Sequence, residues 1–167
     1  MRVVREGTTG MAEASALERA LSECWAAEVS GVSYYEALSE RFPEHRDEAN
    51  VLALVEKTTR DLIEPVARRH SVSLDYGAAE AIGVEVAQVG SDWREVLATA
   101  LSYTPETLRM YTNLADVLPE AESKLGEAIV EHERAQIVLF ESVVAEEPSN
   151  WVAIEAYLER HGAPRPS

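Results

Sequence analysis

The sequence predicts an all-α protein made of two long helical hairpins joined by a crossover, with a short further helix near the C-terminal end. Four long segments carry apolar residues at alternating intervals of three and four, the spacing of helices packed in a bundle. The segment between the second and third patterns is long for a loop, as a crossover requires. The 167 residues are enough for one domain with a sizeable core.

The first hairpin is predicted from two patterns, over roughly 12–42 and 46–70. Pro43 ends the first helix, whereas Pro65 lies inside the second and predicts a kink or a division there. The seam of the first helix consists of Leu17, Leu21, Cys24, Glu28, Gly31, Tyr35, Leu38 and Phe42.

The second hairpin begins near Asp92, which with Glu95 fits a capping box. The dipeptide Thr104-Pro105 also fits a helix start, so the third helix is predicted to be either kinked or broken at that point. The fourth helix is predicted over roughly 120–146.

Two shorter helices complete the prediction. One is expected around 78–88, within the connection between the hairpins. The other follows Pro148, with Ser149 as its cap and Gly162 as its stop, and is expected to dock on the bundle.

The chain divides into three predicted segments: a disordered leader over 1–11, a helical bundle over 12–147, and a C-terminal helix and tail over 148–167. The leader has no usable periodicity, and the helical pattern starts well only at Met11. Either Met1 or Met11 therefore fits a native start.

Charge and cysteine content limit the classes of function. A net charge of -15 argues against nucleic acid and against an anionic membrane surface as partners. There is no run of eighteen apolar residues, so a membrane span is not expected. A lone cysteine, Cys24, excludes an internal disulfide and suits a reducing cytosol, so a cytoplasmic location is expected.

The two predicted hairpins resemble each other in sequence. The stretch EVSGVSYYEALSERFP aligns with TPETLRMYTNLADVLP at a constant offset of 76 residues, which pairs Glu28 with Thr104. The second helices align at an offset of 77, which pairs Glu56 with Glu133. A repeat of this length predicts a duplicated hairpin with approximate two-fold symmetry. The alternative is that any two amphipathic hairpins with a Y-x-x-L run can be aligned.

These motifs, within roughly 20–146, resemble the ferritin-like superfamily, especially its small rubrerythrin-like members. In that family the first helix of each hairpin carries a Glu followed seven residues later by a Tyr, the second carries E-x-x-H, and these residues hold two irons. Here Glu28 followed by YYEALSE matches the first motif, and Glu56 and Glu133 stand at the Glu positions of the second. The resemblance implies a ferritin-like up-down four-helix bundle.

The departures from the family pattern concern the ligands. Thr104 stands where the third-helix Glu is expected, and Thr59 and Gln136 stand where the two histidines are expected. Of the remaining histidines only His132 is placed to reach the site. A di-iron centre with four carboxylates and two histidines is therefore not expected.

Three functions remain compatible with these residues. The favoured one is a metal-independent enzyme that uses the buried carboxylates of Glu28, Glu56 and Glu133 for acid–base chemistry on a small molecule and needs no cofactor. The side chains expected to bind the substrate are Thr59, Thr104, Thr107, Tyr111, His132 and Gln136.

The second function is a non-heme iron or manganese oxidoreductase with altered ligation. Its ligands would be Glu28, Glu56, Glu133 and His132. The third is a binding or structural bundle whose polar seam only fixes the register of the helices. Glu56 and Glu133 lie at the edges of their seams, so the simpler alternative for each is an exposed acid.

Two further expectations concern architecture. A heme-oxygenase-like helical domain would show similar periodicity, but its helices would not be expected to repeat at a fixed offset. Helical hairpins of this kind often pair, so a homodimer is expected.

Overall fold

A computed structural model describes residues 7–162, and the side chains of 16–162, as six α-helices with no strand in that range. The helices are α1 (Gly7–Arg41), α2 (Arg46–Arg69), α3 (Tyr76–Val86), α4 (Trp93–Val117), α5 (Ser123–Val144) and α6 (Val152–His161). Single turns of 3-10 helix, Pro43–His45 and Glu120–Glu122, connect α1 to α2 and α4 to α5. The predicted all-α class is confirmed.

The two ends of the chain are described only in part. Helix α1 begins at Gly7, inside the segment 1–11 predicted as a leader. Residues 1–6 of that segment, and 163–167 of the predicted tail, lie outside the described residues.

Both internal prolines lie within continuous helices. Helix α2 runs through Pro65 and α4 runs through Pro105, so the alternatives that divided these elements are wrong. Pro105 has no N–H to donate to the carbonyl of Leu101 four residues earlier. The hydroxyl of Thr104 donates to that same carbonyl at 2.8 Å and replaces the missing bond.

The side-chain cap predicted for α4 forms, whereas the one predicted for the C-terminal helix does not. The Asp92 carboxylate accepts from the Glu95 N–H at 2.9 Å, and Glu95 accepts from the Ser91 N–H at 2.7 Å, so the expected capping box forms with its return bond one residue earlier. The predicted cap Ser149 is wrong. Helix α6 starts after Trp151, and its first N–H donates to the side chain of Asn150 at 3.4 Å.

The long helices contact one another in a closed order. Helix α1 packs on α2, α2 on α5, α5 on α4, and α4 on α1. Helix α3 packs on α1, while α6 packs on α5 and α2. Among the described helices, none has an apolar stretch long enough to cross a bilayer.

The buried apolar residues form two separate clusters, one toward each end of the long helices. The first includes Leu38, Leu52, Trp93, Leu97, Leu139, Phe140 and Ile154. The second includes Leu21, Trp25, Ile63, Val66, Leu114, Leu125 and Ile129. On each of the four long helices, buried polar side chains lie between residues of the first cluster and residues of the second. The candidate site lies where these polar side chains interrupt the apolar core.

Candidate functional site

A layer of polar groups crosses the middle of the helices. We define the polar layer as the side chains of Glu28, Glu56, Thr59, Thr104, His132, Glu133 and Gln136 with the hydroxyls of Tyr111 and Tyr157. None of these residues is more than 7% exposed. The simpler alternative, that Glu56 and Glu133 are exposed acids, is wrong. Thr107, also predicted to be in the site, is half-buried at the edge of the layer.

Helical spacing brings these groups to one level. Glu28 and Gly31 lie one turn apart on α1, Glu56 and Thr59 on α2, and His132 and Gln136 on α5. Each pair occupies the face that carries the buried apolar residues above and below it. The predicted seams of α1, α2 and α5 therefore face one another at the middle of the long helices.

His132 lies between two glutamates that come from different helices. Its Nδ1 is 3.5 Å from Glu28 Oε1, and its Nε2 is 3.4 Å from Glu56 Oε1. The hydroxyl of Tyr111, on α4, donates to Glu28 Oε1. The centre of the layer is thus a Glu–His–Glu arrangement supplied by α1, α5 and α2.

Gln136 connects this arrangement on the α5 side. Its amide nitrogen donates to Glu56 Oε1 and lies 2.9 Å from His132 Nε2. This orientation suits a neutral imidazole that accepts at Nε2. When Nε2 carries a proton, it donates, and the amide of Gln136 must then turn its oxygen toward the ring.

Burial and mutual charge shift the protonation of the central groups. Burial raises the pKa of Glu28 to about 8; the His132 charge opposes this shift and the Glu56 charge adds to it. Burial disfavours the His132 imidazolium, but Glu28 and Glu56 outweigh burial and raise the pKa of His132 well above its usual range. The centre therefore retains protons at neutral pH.

Two buried atoms at this centre lack a hydrogen-bond partner among the described residues. They are Glu28 Oε2 and His132 Nδ1, on side chains that are 0% and 1% exposed. Leaving a buried polar atom unpaired costs about 1–3 kcal/mol. Both atoms are available to a ligand or to a transferred proton.

Glu133 differs from the other two glutamates because no side chain holds it. It is 3% exposed and, within the described part of the chain, makes neither a hydrogen bond nor an ion pair. Burial raises its pKa to about 7; the charge of His132 opposes this and the charge of Glu56 contributes to it. Its carboxyl group is thus about half ionised at neutral pH.

A cleft of about 260 Å³ leads from the surface to this carboxyl group. It opens between α1, α3 and α4, and Tyr103 and Val86 stand at its exposed rim. The polar side chains that line it include Glu56, Thr99, Thr104, Thr107, Glu133 and Gln136. Of the predicted substrate-binding residues, Tyr111 also lines it, while Thr59 and His132 lie behind its wall.

Two residues of the site are not among those predicted. A side chain at Gly31 would collide with the Glu56 carboxylate, so this glycine makes room for the acid. Tyr157 of α6 shares a hydrogen bond of 2.7 Å with Thr59, and its ring lies 5.7 Å from that of His132. Sequence signals existed for both: a glycine on a buried helical seam, and a tyrosine three residues after Ile154 on the docking face.

The family resemblance implies a di-iron centre, and the donor set fits it only in part. The ligand atoms of Glu28, Glu56 and His132 all lie within 4.8 Å of one another, and no other such group occurs within residues 16–162. Thr59 and Thr104 donate their hydroxyls to the carbonyls of Val55 and Leu101. The residues therefore fit one carboxylate- and imidazole-bound ion and do not fit two.

A larger surface groove, of about 740 Å³, runs along the outer side of α5. Its charged lining residues are Glu127, Glu131 and Arg134, none of which is buried. The groove therefore lacks a buried charged group, and the smaller cleft is the stronger candidate site.

Comparison of the chain with protein-family models, with curated proteins and with solved structures finds no match.

Proposed function

We propose that the polar layer is the catalytic centre of an enzyme that performs acid–base chemistry on a small molecule, with Glu133 exchanging the proton. The observation that carries this proposal is a buried carboxyl group without a hydrogen-bond partner at the floor of an open cleft. A general base acts best when its pKa lies near the working pH, and the pKa of about 7 for Glu133 meets that condition.

The other groups have supporting roles in this proposal. Burial, with the opposing charges of Glu56 and His132, keeps the pKa of Glu133 near 7. His132 can pass a proton to Glu28 over the 3.5 Å between them. Gln136, Thr104 and the other polar lining groups orient the substrate. Thr59 holds Tyr157 in place and does not touch the substrate.

The scaffold proposed for this chemistry is a ferritin-like bundle of two hairpins. The support is the pairing of α1 with α2 and of α4 with α5, and the matching levels of Glu56 and Glu133 in the aligned helices. The long connection that contains α3 joins the hairpins as a crossover would.

The proposal can be tested without knowing the natural substrate. The probe 5-nitrobenzisoxazole is a neutral small molecule that reports any accessible, poorly solvated base. The base removes the carbon-bound proton while the N–O bond opens, and a coloured cyanophenolate is released. We expect the protein to accelerate this reaction well beyond acetate at equal concentration, and Glu133→Gln to lower the rate by about 100-fold or more.

Two further variants serve as controls for this assay. Glu141→Gln removes an exposed acid on the same helix and should retain the full rate. Thr107→Trp fills the cleft without changing charge and should abolish the acceleration. A rate that Glu133→Gln leaves intact, in a protein with unchanged circular dichroism, would contradict the proposal.

A second candidate function is supported by the three ligand atoms within 4.8 Å and the unpartnered Glu28 Oε2 and His132 Nδ1. A single iron or manganese ion held by Glu28, Glu56 and His132 would supply Lewis-acid or redox chemistry behind the wall of the cleft, where Glu56 reaches the lining. Elemental analysis after iron-replete, anaerobic purification distinguishes this candidate. One ion per chain that is lost in Glu28→Ala and kept in Glu141→Gln supports it, and absence of metal removes it.

A further inference from the structure

We infer that the cleft takes a small organic cation, a protonated amine carried on a compact apolar body. This inference names the substrate class of the proposed acid–base site and rests on that function. It is carried by the charge, the aromatic lining and the volume of the cleft.

The charged groups in the cleft have one sign. Glu56 and Glu133 line it, and none of its lining residues is a lysine, an arginine or a histidine. The guanidinium of Arg41, farther along α1, donates instead to backbone carbonyls at the end of α3, including that of Ala87 at 2.7 Å. A phosphate or a carboxylate would find carboxylates and no cationic side chain in the lining, because His132 lies behind the wall, so an anionic substrate is disfavoured.

Aromatic rings supply much of the apolar lining. These are the side chains of Tyr34, Tyr35, Tyr103, Tyr111 and Phe140. The faces of aromatic rings attract cations, most strongly where water is excluded. The rings also provide an apolar surface for the uncharged part of a ligand. Carboxylates at the floor and rings along the walls form a combination that suits an amine on a hydrocarbon or aromatic body.

The unpartnered atoms provide an independent indication that the site receives a ligand. The Glu133 carboxyl group lines the cleft, is only 3% exposed, and has no hydrogen-bond donor among the described residues. A protonated amine carries up to three N–H donors and no acceptor, which complements such acceptors.

The volume sets the size of the ligand. A cavity of about 260 Å³ corresponds to roughly nine water volumes of ~30 Å³ each. It therefore suits a single ring with a short side chain, and it is small for a nucleotide or a drug-sized molecule.

The inference is tested with three probes of nearly equal shape and different charge: benzylamine, benzyl alcohol and benzoate. Binding to the full chain is measured by calorimetry at neutral pH and moderate salt. We expect benzylamine to bind at least about tenfold more tightly than benzyl alcohol, and benzoate not to bind. Glu133→Gln should remove this preference, Glu141→Gln should retain it, and Thr107→Trp should abolish binding while the charge stays the same.

Each opposite result overturns the inference. If benzyl alcohol binds as tightly as benzylamine, the cleft binds small molecules without a preference for a positive charge. If benzoate binds, the cleft accepts an anion, which is opposite to the inferred charge of the ligand. Binding of Mn²⁺ with no benzylamine binding shows a site for an inorganic cation, and absence of all binding excludes the amine class. Because 5-nitrobenzisoxazole is neutral, proton abstraction from it would leave the proposed function standing in any of these cases.

Discussion

His132 lies between Glu28 and Glu56, although the internal repeat aligns it with the apolar Val55. The motif of the family that the sequence resembles would place a histidine at position 136, which is a glutamine in this chain. The folded chain instead uses the histidine one turn earlier, and Gln136 contacts its ring nitrogen. An imidazole can thus enter a buried site from the turn before the position at which a motif would place it.

At the same scale, Tyr111 is the only hydrogen-bond donor to the buried Glu28 carboxyl group among the described residues. Tyr111→Phe deletes that donor while the ring keeps its place. We expect a loss of about 1–3 kcal/mol in the free energy of unfolding, because a buried acceptor loses its partner. Urea denaturation measures this loss.

The matched control for this variant is Tyr103→Phe, which removes a hydroxyl from a ring that is 60% exposed on the same helix. Its unfolding free energy should stay within about 0.5 kcal/mol of the parent. Equal effects of the two substitutions would show that the Tyr111 hydroxyl does not stabilise the layer.

At the scale of elements, α3 forms one wall of the cleft while burying only Ala79 and Gly83. Gly83 packs directly on α1, where a side chain would meet the Ser30 carbonyl, the Ser33 hydroxyl and, at 2.9 Å, the Tyr34 nitrogen. Backbone cannot move aside as the end of a long side chain can. The width of the cleft therefore depends on a glycine contact between two helices.

Gly83→Val is predicted to push α3 away from α1 and to widen the cleft. The expected cost is about 1–3 kcal/mol, typical of overpacking, with faster amide hydrogen exchange confined to α3. Hydrogen-exchange mass spectrometry measures both the location and the size of the effect.

The matched control in the same helix is Gly77→Ala, whose added carbon would come no closer than 3.8 Å to Asp75. It should be neutral or stabilise α3 by up to about 1 kcal/mol, because alanine is the better helix former. If exchange in α3 is equally slow in both variants, Gly83 does not determine the docking of α3.

At the scale of the whole molecule, the polar layer makes stability depend on pH in an unusual direction. The pKa values of Glu28 and Glu133 rise from 4.5 to about 8 and about 7, so the folded chain holds protons that the unfolded chain releases. Their stabilising contribution is complete below pH 4.5 and is lost as pH rises through these values. His132 acts in the same direction, because its pKa is also raised. The net charge of -15 adds repulsion above neutrality.

We predict that the free energy of unfolding falls as pH rises from about 5 to 8. The shift at Glu133 alone corresponds to about 3 kcal/mol over this range. More acidic solutions destabilise the chain again through ordinary carboxylates such as Glu64, whose pKa is lowered by the hydrogen bond from Tyr76. Thermal melts across this range measure the slope.

Glu133→Gln should make this slope shallower and raise the melting temperature at pH 8, because the glutamine carries no charge to bury. Glu141→Gln should leave the slope unchanged, because it removes only an exposed acid. A maximum of stability at pH 8 in the parent would show that the buried acids are ionised without cost.

Periodicity was sufficient to locate the four long helices and to place six of the nine predicted site residues in the interior, because burial of one helical face leaves a regular trace in the sequence. It could not decide whether α4 was broken at Pro105, since that depends on whether a neighbouring hydroxyl replaces the lost hydrogen bond. Nor could periodicity decide whether the side chains of Glu56 and Glu133 face the interior or the solvent, because both lie at the edge of their seams.

The sequence by itself determined the helical class and the levels at which polar side chains interrupt the apolar seams, because both are properties of residue spacing along one chain. Only the tertiary structure decided that His132 lies between two acids, that Gly31 admits the carboxylate of Glu56, and that Tyr157 closes the layer from α6. It also decided that a cleft reaches Glu133. These features depend on the distance and rotation between helices far apart in sequence, and the acidity of a buried group depends on which neighbours those helices bring to it.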